Sequence, residues 1–470
     1  MWLFVGLILL LHGCVPHPCH ELATREESCG CDSLVEEARA QGFEMGDWPD
    51  AEWWNGFDDP VLTGLIEEGL KLNPTLKRAE ENLKAASEVA KQKRAKLFPE
   101  VYFTGDSNWQ HLSPSGFFRE YAPTIPAVVN DLHLGFSFSY EFDFWGKNRM
   151  LFQSAMGIAA AAVAEKLQAE LILTTSIAYT YEELQLLLRK RVLLTQIEAN
   201  REAIEMIRLK RQQHALDGSI IQLQAKNNQL DASAPLLEID DQIEVHFHKL
   251  KALTALGQDA ILEIPYRAYN PLQVSIPECL SLDLIARRPD LIAQKWRVEA
   301  AAKQIGAAKT DFYPNVNITG LIGLESVFFS QLLKAKSYSA NADPAFHLPI
   351  FTAGRIKAQL MEKVADFNQA VYDFNELILR AAQEIADTLS DMTRLQAEIE
   401  LRQGSLEVVQ KQEELTAKRF ANALDDRIAL LDSQNNVLEM EITLVELEYG
   451  KLLTSIQLIR AFGGGYHDCE

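Results

Sequence analysis

The chain has little of what most function classes require. Basic residues are scarce: 45 Lys and Arg against 66 Asp and Glu in 470 residues leave a net charge of −21. With a pI near 5.0 there is no positive footprint for a phosphate backbone, which excludes a nucleic-acid partner. Long apolar runs are missing as well. The longest, residues 2–11, falls well short of the about 20 residues a helix needs to cross a bilayer. A mean hydropathy of −0.09 therefore excludes a bundle of membrane-spanning helices. No Ser/His/Asp or Cys/His constellation is visible, so catalysis has no candidate machinery. His246 and His248, two apart on a helix, point about 200° away from each other and cannot share a metal. Gly463, Gly464 and Gly465 lack the Lys and Ser/Thr of a phosphate loop. Nothing calls for a cofactor or a metal. Finally, residues 158–217 contain neither Gly nor Pro, and no Pro follows Pro349. Those stretches are free to be very long helices.

The apolar run at residues 2–11 has the length of a signal-peptide core, and it ends Leu11-His12-Gly13-Cys14. This resembles a bacterial lipoprotein signal, which implies removal of residues 1–13 and lipidation of Cys14. His12 and the absence of Lys or Arg before the run depart from that pattern. Acylation of Cys14 would bring more than one chain, enough for a stable membrane anchor. The other cysteines, Cys19, Cys29, Cys31, Cys279 and Cys469, are odd in number and cannot all pair within one chain. The spacing of Cys19, His20, Cys29 and Cys31 fits no standard zinc pattern. Residues 14–58 read as a leader.

The second half of the chain repeats the first. Residues 65–105 line up with 280–320 at an offset of 215: Pro74 with Pro289, Leu76 with Leu291, Pro99 with Pro314, Gly105 with Gly320. Later, Ala215-Leu216-Asp217 lines up with Ala423-Leu424-Asp425 at an offset of 208, and Asn227-Asn228 with Asn435-Asn436. Two copies of one unit imply a pseudo-symmetric architecture. The first repeat spans 59–257 with a β-hairpin at about 99–145, the linker 258–279, and the second repeat 280–470 with a hairpin at about 314–351.

Within each repeat the hydrophobic period changes twice. Asp59-Pro60 is a helix start, and a helix is expected from Pro60 to about Lys96, broken at Pro74. Over residues 132–144 the period becomes 2: Leu132, Leu134, Phe136, Phe138, Tyr140, Phe142 and Phe144 alternate with His133, Gly135, Ser137, Ser139, Glu141 and Asp143. That is a strand, and residues 101–110 are its partner. Residues 316–324 form the third strand. The fourth ends near residues 346–350 and is blurred by Pro344 and Pro349. After Gly146 and Gly354 the period returns to that of helices. From Ile356 to Ile399 apolar residues recur every three or four positions, the chain turns near residues 422–427, and the stripe resumes at Ile428. A helix of about 65 residues is on the order of 100 Å long. Pro235 should bend the return helix of the first repeat.

The fold class is thus mainly α with a membrane β-barrel contribution, internally duplicated, with four strands per chain and very long antiparallel helices. Four strands cannot close a barrel, and an open sheet edge in lipid costs several kcal/mol per unpaired backbone group. If these strands meet a membrane, other copies of the chain must complete the wall. A periplasmic coiled-coil scaffold or adaptor without a pore would use the same helices but would not need the alternation at 132–144.

Several motifs in this order resemble the outer membrane factor family, the TolC-like efflux channels, and within it the NodT-like lipoprotein branch. They are Trp53-Trp54 with Phe57, Asp59 and Pro60; Asn73-Pro74; Arg287-Arg288-Pro289-Asp290-Leu291; Leu348-Pro349-Ile350-Phe351 with Gly354-Arg355; Leu430-Leu431-Asp432-Ser433-Gln434; and Ala461-Phe462-Gly463-Gly464-Gly465-Tyr466. The resemblance implies a homotrimer with a 12-stranded barrel and a periplasmic α-barrel. It also implies an outer-membrane location, a periplasmic adaptor (membrane fusion) protein, an inner-membrane transporter as partner, and passive conduction instead of catalysis. It places a gate at the periplasmic helix turns, where carboxylates of three chains form rings. Asp425, Asp426 and Asp432 are the candidates here, with Arg419 a possible pairing partner. Helix capping is the competing role for Asp425 and Asp426. Where the family often has Gly in these turns, this chain has Ala215 and Ala423, which implies a stiffer tip.

Overall fold

The computed structural model describes residues 22–26, 32–122, 124–277 and 280–466. The expected signal at 1–13, the lipidated Cys14 and the other five cysteines lie outside the described residues. In chain order the elements are α1 (Asp32–Ala40), β1 (Met45–Gly46), a 3-10 turn (Trp53–Phe57), α2 (Pro60–Leu72), α3 (Pro74–Ala95), β2 (Glu100–His111), α4 (Phe117–Tyr121), β3 (Val128–Phe142), α5 (Lys147–Gln213) and α6 (Ser219–Leu253). Then come β4 (Ile276–Pro277), α7 (Leu280–Arg287), α8 (Pro289–Thr310), β5 (Asn315–Ser326), α9 (Phe329–Leu332), β6 (Tyr338–His347), α10 (Arg355–Ala421) and α11 (Arg427–Ala461). The halves match element for element. α3 and α8 have 22 residues each, β2 and β5 have 12, α5 and α10 have 67, and α6 and α11 have 35.

The local signals account for the boundaries. Asp59 Oδ1 accepts from the backbone N–H of Val61 and Leu62, and Pro60 opens α2. The expected break falls at Asn73, whose Oδ1 accepts from Thr75 N–H while Pro74 opens α3. Pro235 sits inside α6 without ending it. Two strand limits differ from expectation. β3 starts earlier and stops at Phe142, because Asp143 turns to cap α5, accepting from the N–H of Asn148 and Arg149. β6 runs Tyr338–His347 with Pro344 inside it. The sheet tolerates this because β6 is an edge strand and Pro lacks only a donor that a ladder would need.

Two compact units form, each drawing on both halves of the sequence. Among the described residues, those within 22–25, 83–162 and 294–374 make the first, and those within 26–82, 163–293 and 375–466 the second. The first holds an antiparallel sheet of order β2-β3-β5-β6. Its register gives the two faces opposite character. Val101, Phe103, Phe136, Phe138, Ile318 and Ile322 share one face, while Thr104, Asp106, His133, Ser137, Thr319 and Asn341 share the other. The apolar face is left open: Val101, Phe103, Phe136 and Ile322 are all more than half exposed. Beneath the sheet, Trp145 stacks on Tyr313 with centroids 4.9 Å apart and donates Nε1–H to Pro314 O at 2.7 Å. Ile305, Leu360 and Val364 bury the contact of α8 with α10.

The second unit is a helical core. Trp53, Trp54, Phe57, Leu62, Ile66, Ile177, Tyr181, Leu184, Leu250, Tyr449, Leu452 and Ile456 are buried together. The motif at residues 287–291 has a packing role. Arg288 is almost wholly buried, grips Asp290 through Nε and Nη2 (3.1 and 2.7 Å), and reaches Glu384 Oε2 (2.9 Å) and Ala461 O (3.2 Å) with Nη1. It holds the C-terminus of α11, where free carbonyls attract a cation. The glycines that follow are required by space and by backbone. Gly463 and Gly465 have φ of 93° and 78°, and a Cβ would lie 2.2 Å from Arg287 O and from Asp50 O respectively.

A buried polar network fixes the linker. Tyr181 donates to Asp59 Oδ2 at 2.6 Å. Arg267 reaches Glu182 Oε1 at 3.0 Å, Phe57 O at 2.9 Å and Asp59 Oδ2 at 3.5 Å. Glu182 is fully buried, and its Oε2 finds no hydrogen-bond partner among the described residues. Burial pushes its carboxyl up to about 7, against the pull of Arg267 and with added repulsion from Asp59.

Candidate gate at the helix turns

Both long helices end in the same way. After α5 and α10 a single residue, Ala215 or Ala423, adopts the left-handed conformation, with φ of 56° and 55°. Leu216 N–H then bonds back to Arg211 O at 2.8 Å, and Leu424 N–H to Arg419 O at 2.9 Å. This is a Schellman-type helix stop, in which Gly is the usual left-handed residue because a Cβ there costs about 1–2 kcal/mol. Here both turns carry that strain.

An arginine from the last turn of each helix clasps an aspartate in the loop. Arg211 Nε and Nη2 donate to Asp217 Oδ2 and Oδ1 at 2.9 and 3.1 Å, and Arg208 Nη1 adds a third bond at 3.1 Å. Arg419 Nε and Nη2 donate to Asp425 Oδ2 and Oδ1 at 2.6 and 2.9 Å. The hydrogen bonds from Arg211 hold the Asp217 carboxyl below its ordinary range, and those from Arg419 do the same for Asp425. Both pairs have the two-pronged geometry that suits guanidinium to carboxylate.

The three carboxylates expected at the gate have different partners. Asp425 is held by Arg419 of its own chain. Asp426 Oδ1 accepts from Ala429 N–H at 2.9 Å and caps α11, so the competing role expected for it is present. Gly218, its counterpart in the first repeat, caps α6 with no side chain. Asp432 lies further into α11 and pairs with Arg201 Nη1 of α5 at 2.8 Å, leaving 47% of its side chain exposed. Arg201 Nη2 also lies 3.9 Å from Glu439 Oε1. Next to this pair Asn200 donates to the buried Asn435 at 2.8 Å, and Ile204, Ile428 and Leu431 form a small apolar cluster. Polar and apolar layers thus alternate where α5 meets α11.

Sequence reasoning missed Asp217, Arg208, Arg211 and Arg201. For the first and third a signal existed: the offset of 208 that maps Asp217 onto Asp425 also maps Arg211 onto Arg419. Arg201 left none, because its partner is 231 residues away. Among the described residues no helix is long and apolar enough to cross a membrane.

The profile of the outer membrane efflux protein family matches residues 65–256 and 280–464. The chain is 30% identical over 428 residues to the multidrug resistance outer membrane protein MdtP of Shigella flexneri, covering 89% of this chain and 87% of that protein. It is 28% identical over 473 residues to the multidrug resistance outer membrane protein MdtQ of Escherichia coli O6:H1, covering 98% and 97%. Among solved structures, the outer membrane protein VceC of Vibrio cholerae superposes with a TM-score of 0.80 at 30% identity, over 89% of this chain and all of that one. The Campylobacter jejuni CmeC outer membrane channel shares the fold with a TM-score of 0.85 at 21% identity, over 97% and 95%.

Proposed function

From the premise that the chain belongs to the outer membrane efflux protein family, we propose that three copies assemble into one passive exit duct. In this reading each repeat, 59–257 and 280–470, supplies one hairpin and one pair of long helices, and 258–279 joins them. The observation that carries it is the four-stranded sheet. One face is apolar and exposed, the other is polar, and among the described residues the outer edges of β2 and β6 have no neighbour in the sheet. In lipid such edges must be paired, and three sheets of four strands close a 12-stranded barrel with the polar faces inward. The 67-residue helices α5 and α10 then build the periplasmic tunnel. A periplasmic adaptor and an inner-membrane transporter deliver cargo to it. The multidrug resistance proteins among its relatives support small-molecule efflux. Acylated Cys14 anchors the leader, and the chain carries out no catalysis.

The gate lies at the helix turns. Three copies of Asp425, Asp426 and Asp432 ring the closed tip and favour cations there. The Arg201–Asp432 pair bolts α5 to α11 and opposes opening. The test is planar-bilayer conductance of detergent-purified protein. Wild type should give small, cation-selective currents, and Arg201→Ala should raise the conductance. The combined Asp425→Ala, Asp426→Ala and Asp432→Ala variant should lose cation preference. Unchanged selectivity in that variant removes the carboxylate gate. A water-soluble monomer without conductance removes the duct and fits a scaffold.

A further inference from the structure

The polar face of the sheet holds a group that conduction does not use. The register sets Asp106 of β2 opposite His133 of β3, and His133 opposite Glu325 of β5, in one row across three strands. Asp131, two residues from His133 on β3, projects from the same face. His133 Nε2 lies 3.1 Å from Asp131 Oδ2. One ligand atom each from Asp131, His133 and Glu325 falls within 4.8 Å of the others. The row stands close to the loop end of the sheet, since β3 begins at Val128 and β5 ends at Ser326.

We propose that Asp131, His133 and Glu325 form a binding site for a divalent transition-metal ion of the Zn2+ type, with Asp106 as an outer carboxylate. Three features support a metal over a plain cross-strand ion pair. The first is charge. Asp106, Asp131 and Glu325 carry three negative charges against at most one on His133, and none of the three forms an ion pair with a Lys or Arg among the described residues. A divalent cation on a neutral imidazole offsets more of that charge than an imidazolium does. The second is orientation. Ser339 Oγ donates to Glu325 Oε2 at 3.0 Å, which fixes one carboxylate oxygen and leaves the other for a ligand, the usual arrangement around a metal-binding carboxylate. The third is space. The next row on this face is Thr104, Gly135, Gly323 and Ser339, so the two middle strands, β3 and β5, place no side chain there beside the imidazole and the Glu325 carboxylate. One imidazole nitrogen with two or three carboxylate oxygens suits Zn2+, Ni2+ or Cu2+. Ca2+ and Mg2+ prefer oxygen ligands throughout.

The probe is Zn2+, titrated calorimetrically into full-length, metal-stripped protein in detergent with its thiols alkylated. Relative to wild type, His133→Ala should lose one binding equivalent per chain. Glu325→Gln, which keeps shape and hydrogen bonding, should weaken that equivalent about tenfold or more. His347→Ala, at the opposite end of β6, should change nothing. In wild type, Co2+ should show visible bands of nitrogen–oxygen coordination that vanish in His133→Ala. Equal stoichiometry and affinity in wild type and His133→Ala would leave only a cross-strand ion pair and overturn the site. If His133→Ala fails to fold, an unweakened Glu325→Gln overturns it as well. The readout is binding, so the outcome does not depend on whether the protein conducts.

Discussion

Replacing Glu182 by Gln tests the buried network most sharply. Glu182 sits on α5 with no exposed side-chain surface, one oxygen on Arg267 and the other without a partner among the described residues. Its carboxyl is raised from an ordinary 4.5 to about 7, mainly by burial. A group whose folded value is raised stabilises the fold fully below its unfolded value, and that contribution is lost as pH rises through the folded value. The window is therefore about 4.5 to 7. Over it the wild type should lose on the order of 3 kcal/mol from this one group. The Gln variant has no proton to lose, so its stability relative to wild type should rise by about that amount between pH 4 and pH 8. For a chain of this length melting as a unit, that is a relative shift of about 3 °C. The assay is the thermal midpoint of the helical circular dichroism signal at several pH values, wild type against Glu182→Gln in the same detergent. A difference that stays flat with pH would mean that the attraction of Arg267 cancels the burial, leaving the folded value at the unfolded one, and that the burial argument fails. A fall in the variant's relative stability with rising pH would show the pair to be net favourable.

Two further expectations concern backbone. Ala215→Gly and Ala423→Gly should each stabilise by about 0.5–1 kcal/mol, the left-handed strain relieved less the added chain entropy of Gly. Unchanged melting in the double variant would mean that the turns are not strained. Gly463→Ala and Gly465→Ala should each cost at least about 2 kcal/mol, because a Cβ would meet backbone oxygens that cannot move aside. Gly404→Ala, in an open helix interior, should gain about 0.5–1 kcal/mol and serves as the control; normal yield and melting for Gly463→Ala would refute the packing account.

Much of this protein was decided by local chemistry that a sequence displays directly. A period of 2 over residues 132–144 puts apolar and polar side chains on opposite faces of any strand, whatever surrounds it. Asp59-Pro60 and Asn73-Pro74 start helices through their own side chains and rings. The repeat offset carries both left-handed alanines and both aspartates of the loop clasps. What lay beyond reach depends on residues far apart in the chain. The Glu182–Arg267 contact spans 85 positions and Arg201–Asp432 spans 231. The row of Asp106, His133 and Glu325 exists only because a register was chosen, and a slip of one residue would turn His133 to the apolar side. Sequence thus determined which elements form and where they stop, since those are short-range steric and hydrogen-bonding matters. Tertiary structure alone decided which charges meet, because burial and strand register are properties of the packed chain and not of any segment within it.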